Sequence, residues 1–267
     1  MIKCGITGSQ GNLGKTFLKT KNFDFIKFNG DISKKADVIK WINKNEFDII
    51  IHFAAIVPTI VVNKNYQRAL KVNYVGTKYL VDAILRYKKN IKWFFFASTS
   101  HVYPLQTKNI SEKNKTKPLS KYGKTKLKAE NYIIKKLKNK KYNFCVGRIF
   151  SIFDNKGKGF FTPSLLGKVR KGNKYLLLEN LNHYRDFLTT KQISKIIIFL
   201  CRKKFTGIIN IGSGEKTNLQ KIAKIFAKKA GKKVLIKNNK PSYHVANISK
   251  LKRMGYKIKK LNFRGIF

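Results

Sequence analysis

The stretch Ile2–Gly14, IKCGITGSQGNLG, restricts the fold of this chain more than any other. A short apolar run, Ile2–Thr7, reads as a strand, glycines follow at positions 8, 11 and 14, and a helical pattern sets in at about Leu13. Strand, glycine turn and helix in that order form a backbone that can cradle a pyrophosphate. Gly8 permits the tight turn, Gly11 leaves room where a Cβ would block a phosphate, and Gly14 lets the helix pack closely. The helix start adds N–H donors and partial positive charge. Spacing alone leaves a glycine-rich turn without a ligand as the lesser alternative.

The rest of the chain keeps the same alternation. Apolar runs at Phe23–Phe28, Phe47–Phe53, Ile91–Ala97 and Tyr142–Phe150 read as strands. Helical patterns at Asp37–Asn43, Tyr66–Lys88 and Leu119–Leu137 separate them. Buried strands alternating with helices predict an α/β fold with a doubly wound parallel sheet and ligands outside the carboxyl ends of its strands. After Phe150 the pattern loosens into a Gly/Lys loop at 155–159, helices at Phe161–Lys171, Lys191–Cys201 and Asn218–Lys229, and short strands at Tyr175–Leu178 and Ile208–Ile211. Residues 1–150 are expected to form a nucleotide-binding half, with 193–211 returning to its sheet. Residues 151–267 are expected to form a smaller α/β substrate part.

Lys and Arg number 59 against 12 Asp and Glu, a formal charge of +47. Such a surface attracts polyanions, so a nucleic-acid or anionic-surface module is one reading. The lysines, however, lie along solvated helix faces from end to end rather than in a tail, which favours a small anionic ligand steered to a cleft. Cys4, Cys145 and Cys201 lie far apart in apolar segments, without metal-ligand spacing, and read as core in a reducing, cytoplasmic setting. No metal site is expected. No signal peptide and no run long enough to span a bilayer are read from the sequence.

Two positions suggest proton chemistry. Tyr122 and Lys126 are four apart at a helix start, which places them on one face. An ammonium beside a phenol is expected to lower its pKa toward operating pH, and so ready it for proton transfer. Thr99, at the end of a strand, could hold the reacting oxygen near Tyr122. Their bland alternatives are a packed tyrosine, a solvated lysine and a strand-end cap.

The ordered set of motifs resembles the extended short-chain dehydrogenase/reductases of the NAD(P)-dependent epimerase/dehydratase family, which act on nucleotide sugars. The set runs Thr7–Gly14, Gly30-Asp31-Ile32, His52-Phe53-Ala54-Ala55, Asn73-Tyr74-Val75-Gly76-Thr77 and Ala97–Tyr103. It continues through Tyr122–Lys126, Gly147–Phe150, Arg185-Asp186-Phe187 and Asn210–Gly214. The resemblance implies a Rossmann-like domain and NAD or NADP as cofactor. It assigns the cofactor to Gly8, Ser9, Gln10, Gly11, Asn12, Leu13, Asp31, Ile32, Phe53, Ala54, Ala55, Asn73, Ala97, Tyr122 and Lys126. It makes Thr99, Tyr122 and Lys126 the catalytic triad, and Thr99, Ser100, His101, Tyr122 and Arg185 the substrate contacts. It also implies a homodimer through the 66–88 and 119–137 helices, which the lysines of the second would oppose.

Departures narrow the activity. In the family's 4,6-dehydratases two acids follow the catalytic threonine, whereas here they are Ser100 and His101, so dehydration lacks its acid and base. Lys27 and Asn29 stand where an acid usually holds the adenosine ribose, which would admit a 2′-phosphate. The resemblance therefore implies reduction of a 4-keto sugar nucleotide in deoxysugar or surface-polysaccharide biosynthesis, with 4-epimerisation by the same triad as the alternative.

Overall fold

The computed structural model describes residues 1–57, 59–87, 90–138, 142–153, 161–172, 174–237, 240–259 and 261. In chain order the elements begin β1 (Ile2–Thr7), α1 (Asn12–Leu18), β2 (Phe23–Lys27), α2 (Lys35–Lys44), β3 (Ile49–His52), α3 (Thr59–Lys64) and α4 (Tyr66–Leu70). A π-helical segment, Lys71–Val75, leads into α5 (Gly76–Tyr87), β4 (Trp93–Thr99), a 3₁₀ turn (Ser100–Val102), α6 (Lys121–Leu137) and β5 (Asn143–Ile149). Then come β6 (Ser151–Phe153), α7 (Phe161–Lys171), β7 (Tyr175–Glu179), β8 (His183–Arg185), β9 (Phe187–Thr189) and α8 (Thr190–Arg202). The chain continues with β10 (Gly207–Ile211), β11 (Thr217–Asn218), α9 (Leu219–Lys229), β12 (Lys233–Lys237), β13 (Ser242–His244) and α10 (Ser249–Arg253). The Gly/Lys loop read at 155–159 lies outside the described residues.

The chain divides into two compact units. Unit 1 comprises Met1–Pro104, Lys115–Ile149 and Thr190–Ile209, and unit 2 comprises Leu105–Asn114, Phe150–Thr189 and Asn210–Phe267. Unit 1 is organised on a six-stranded sheet of order β10-β5-β4-β3-β1-β2, with parallel pairing from β5 through to β2. Strand order reverses between β1 and β3, the switch point beyond whose carboxyl ends sheets of this kind bind their ligands. β3 and the start of β4 are buried on both faces, which explains why their sequences run apolar without alternation. On one face Trp41, Leu80, Val81, Ile84 and Ile133 of α2, α5 and α6 pack on Ile50, Phe94 and Phe96. Phe17 of α1 packs on Phe23, Phe25 and Phe53.

The sequence pattern of Tyr66–Lys88 predicts one helix. Its described part is instead α4 and α5 joined through the π segment. A π turn adds a residue to the helical repeat without breaking it, so the apolar pattern survives and conceals it.

Unit 2 holds a three-stranded sheet, β11-β8-β13, and two-stranded sheets β12-β7 and β6-β9. Its core gathers Phe153, Leu165, Val169, Leu176, Phe187, Ile222 and Phe226. Residues 105–114 belong here because Gln106 bridges to Tyr243 and Ile110 to Ala246. Asp186 ties the unit together. Its buried carboxylate accepts from Ser213 N–H and Oγ–H at 2.6 Å each, Gly214 N–H at 2.9 Å and Ala246 N–H at 3.1 Å. No described helix is long and apolar enough to cross a membrane.

Candidate active site

The glycine turn leaves β1 at the strand-order reversal. Gly8 has φ +70°, and a Cβ there would lie 2.5 Å from Ala54 N, so both conformation and the abutting chain after β3 demand glycine. A Cβ on Gly14 would strike Gly8 O, so helix and turn are pressed together. Gly11 differs. Its backbone is extended, it is exposed, and an added Cβ would meet only Gly8 O at 3.4 Å. No side chain caps α1 at this end. The turn therefore offers an open backbone cradle beside a helix start, which fits the diphosphate of a dinucleotide. Ser9 is buried, Gln10 exposed, and Asn12 and Leu13 half-buried around it.

Beyond β2, Asp31 is exposed and its carboxylate accepts from Ser33 N–H at 2.9 Å and Ser33 Oγ–H at 2.8 Å. Those bonds hold it below the usual carboxylate range. Asp37 accepts the Asp31 N–H at 2.8 Å, and Ile32 is buried. After β3, Phe53, Ala54 and Ala55 are half-buried, as is Ala97 in β4. Asn73, in the π segment, is fully buried. Its side chain accepts from Ile56 N–H at 2.7 Å and donates to Ile56 O at 3.0 Å and Thr125 Oγ1 at 3.1 Å. It thus clamps the chain just beyond Ala54-Ala55 onto α6.

His52, at the end of β3, is buried between two threonines. Thr77 Oγ1 donates to Asn73 O at 2.8 Å, so it accepts from His52 Nε2–H at 2.8 Å. His52 Nδ1 then accepts from Thr7 Oγ1 at 2.6 Å. Burial drives this imidazole down to about 3, with the Lys126 charge acting in the same direction, so it stays neutral. It is a strand residue with a structural network, as its apolar context suggests.

Thr99 and Tyr122 come together: the Thr99 hydroxyl lies near enough to the Tyr122 phenol to act on its ionisation. Thr99 Oγ1 also accepts from His101 N–H at 3.2 Å. Ser120 caps α6 by accepting from Gly123 N–H at 3.0 Å, which fixes the first turn that carries Tyr122. The Tyr122 ring packs with Val62 and Ala69, and His101 meets it edge-on at 5.8 Å between centroids. Ser100 is buried and His101 exposed. One turn on, Lys126 is 2% exposed, with Nζ 4.0 Å from the Phe96 ring centroid.

The electrostatics correct one expectation. Lys126 does not lower the Tyr122 phenol. Burial raises that phenol well above its ordinary value, and only the nearby Thr99 hydroxyl opposes the rise. Burial instead brings Lys126 down to about 7, with Glu130 pulling the other way. Desolvation sets both shifts because both groups are sealed from water.

In unit 2, Arg185 is half-buried. Its Nη1 donates to Tyr184 O at 2.9 Å and to Ser242 O and Oγ at 3.2 and 3.1 Å, and its Nη2 donates to Ser242 Oγ at 3.1 Å. Burial holds its guanidinium below its ordinary value. Ser98 and Arg148 stand in the sequence only as members of motifs, with no role assigned, and Glu130, which both of them contact, was not singled out at all. Glu130 lies four residues after Lys126 on the same helical face, a spacing that could have marked it.

A family model, the NAD dependent epimerase/dehydratase family, matches residues 6–212. A GDP-6-deoxy-D-talose 4-dehydrogenase of Aggregatibacter actinomycetemcomitans is 27% identical over 252 residues, 89% of this chain and 83% of that one. A putative UDP-glucose 4-epimerase of Methanocaldococcus jannaschii is 26% identical over 210 residues, 76% of this chain and 67% of that one. Among solved structures, RMD of Pseudomonas aeruginosa complexed with NADPH superposes with a TM-score of 0.88 at 17% identity, over 99% of this chain and 95% of that one. The UDP-glucose 4-epimerase of Thermotoga maritima, solved with UDP-glucose, gives 0.85 at 16% identity, over 99% and 96%. With its strand-order reversal, its glycine turn and a model match across most of its length, the chain belongs to the NAD-dependent epimerase/dehydratase family, whose members modify nucleotide sugars.

Proposed function

We propose that this protein reduces the 4-keto group of a sugar nucleotide with NADH or NADPH. The observation that carries the reading is the Thr99 hydroxyl beside the buried Tyr122 phenol, with Lys126 buried one helical turn away. A dinucleotide held there would supply the hydride that reduces the carbonyl carbon. Gly8–Leu13 hold its diphosphate, and Ile32 and the Ala54-Ala55 segment flank its two ends. Tyr122, kept protonated by burial, donates its phenolic proton to the carbonyl oxygen as negative charge develops there. Thr99 polarises the same oxygen, and Lys126 holds the cofactor ribose and supports the phenolate left behind. Ser100 and His101 bear on the sugar, and Arg185 on its nucleotide-phosphate end.

A relative that acts at position 4 of a GDP-sugar supports this choice of carbon. Epimerase-named relatives support a second reading, 4-epimerisation, in which the same triad oxidises and re-reduces one carbon. The two separate in one assay. Purified protein is incubated with 4-keto and 4-hydroxy sugar nucleotides while NADH and NADPH absorbance is followed, with Tyr122→Phe as control. Stoichiometric loss of reduced cofactor with a 4-keto substrate identifies the reductase. Turnover without net cofactor change identifies the epimerase, and no turnover on either panel overturns both.

A further inference from the structure

Next to the triad along β4 and α6 lies a buried polar cluster that none of these steps employs. Arg148 on β5 is 4% exposed and Glu130 on α6 is fully buried. The guanidinium straddles the carboxylate, with Nη2 2.7 Å from Oε2 and Nε 3.1 and 3.2 Å from the two oxygens. Ser98 Oγ donates to Glu130 Oε1. Arg148 Nη1 donates to the Tyr103 hydroxyl at 2.8 Å, and the guanidinium lies 4.8 Å from that ring's centroid. Removing two charges from water is costly, and apolar side chains of similar volume often stabilise a fold as well or better. Stability alone therefore gives little reason for an ion pair here.

Placement gives a better reason. Ser98 immediately precedes Thr99 at the end of β4. Glu130 follows Lys126 and Tyr122 at successive four-residue steps on one face of α6. Tyr103 closes the turn that carries His101, its N–H donating to Ser100 O at 3.0 Å. A guanidinium–carboxylate fork admits essentially one relative placement of its partners. We propose that Glu130 and Arg148, with Ser98 and Tyr103, are positioning residues that set the height of α6 against the end of β4, so that the Tyr122 phenol meets the Thr99 hydroxyl. The cluster touches no substrate. It acts through the proton-transfer pair, and so rests on the role given to Tyr122 and Thr99 above.

The test uses the full chain labelled with 3-fluorotyrosine, with the Tyr122 ¹⁹F resonance identified by its loss in Tyr122→Phe. Ser98→Ala removes one hydrogen bond and keeps the ion pair, and Glu130→Gln removes the charge at constant shape. In both, the Tyr122 resonance shifts or broadens while circular dichroism stays native. In both, kcat falls about tenfold or more, because small misplacements of a reacting group are amplified in rate, while KM and the dinucleotide Kd stay within about twofold. Arg148→Lys does not restore the wild-type resonance, since a point charge cannot form the fork. A Tyr122 resonance unmoved in Ser98→Ala overturns the proposal, and this variant alone decides should Glu130→Gln fail to fold. If the wild type turns over no substrate, the proposed reduction fails while the resonance still decides the positioning role.

Discussion

Tyr122 and Lys126 are one turn apart, and burial moves them in opposite directions: the phenol up, the ammonium down to about 7. A phenol that keeps its proton across the physiological range is suited to donating it, so Tyr122→Phe is expected to lower kcat by about 10²- to 10⁴-fold with dinucleotide binding retained. The same burial ties stability to pH. His52 is held near 3 and Lys126 near 7, both below their ordinary values of 6.5 and 10.5, so the unfolded chain binds protons that the folded chain refuses. Stability therefore rises with pH across both windows, 3 to 6.5 through His52 and 7 to 10.5 through Lys126, by about 1.4 kcal/mol per pH unit for each group titrating alone. Urea denaturation from pH 4 to 9 should show both limbs. His52→Gln flattens the acidic limb and Lys126→Met the alkaline one.

Among the elements, the glycine turn separates structure from ligand binding within a few residues. Gly8→Ala forces a left-handed backbone and a clash with the chain after β3, and is expected to destabilise by about 2 kcal/mol or more. Gly11→Ala sits in extended backbone with only one neighbour at 3.4 Å, so stability changes by less than about 1 kcal/mol. Its Cβ nevertheless fills the cradle, and the dinucleotide Kd is expected to weaken about tenfold or more. Denaturation midpoints and fluorescence titration with NADH and NADPH measure the two effects independently. This turn was legible in the sequence because its signal is local, as was the four-residue step from Tyr122 to Lys126. The π segment was hidden because it preserves the apolar pattern. The Glu130–Arg148 and Ser98–Glu130 contacts, 18 and 32 residues apart, come from strand order rather than from any local period. The sign of the Tyr122 shift was missed because proximity of a charge can be read from spacing, but depth of burial cannot.

On the scale of the whole molecule, the +47 charge bears on encounter more than on chemistry. Sugar nucleotides and dinucleotides are anions, and a strongly basic protein draws them in at low salt. Raising ionic strength from about 20 to 200 mM shortens the Debye length and is expected to lower kcat/KM severalfold while leaving kcat nearly unchanged. Steady-state kinetics across a salt series checks this. Unit 2 takes residues 105–114 from the middle of unit 1 and hands residues 190–209 back, so neither unit is a continuous piece of chain.

The edge position of β10 has a consequence during synthesis. Its neighbour β5 ends at Ile149, but the strand that covers its outer edge is not made until Gly207–Ile211. A nascent chain thus carries the apolar edge of β5 bare through the translation of unit 2's first half, a state prone to intermolecular pairing. A fragment ending at Phe150 would be frozen in that state and should sediment as aggregate where the full chain does not, and slower elongation between the two strands should lengthen the dependence on chaperones.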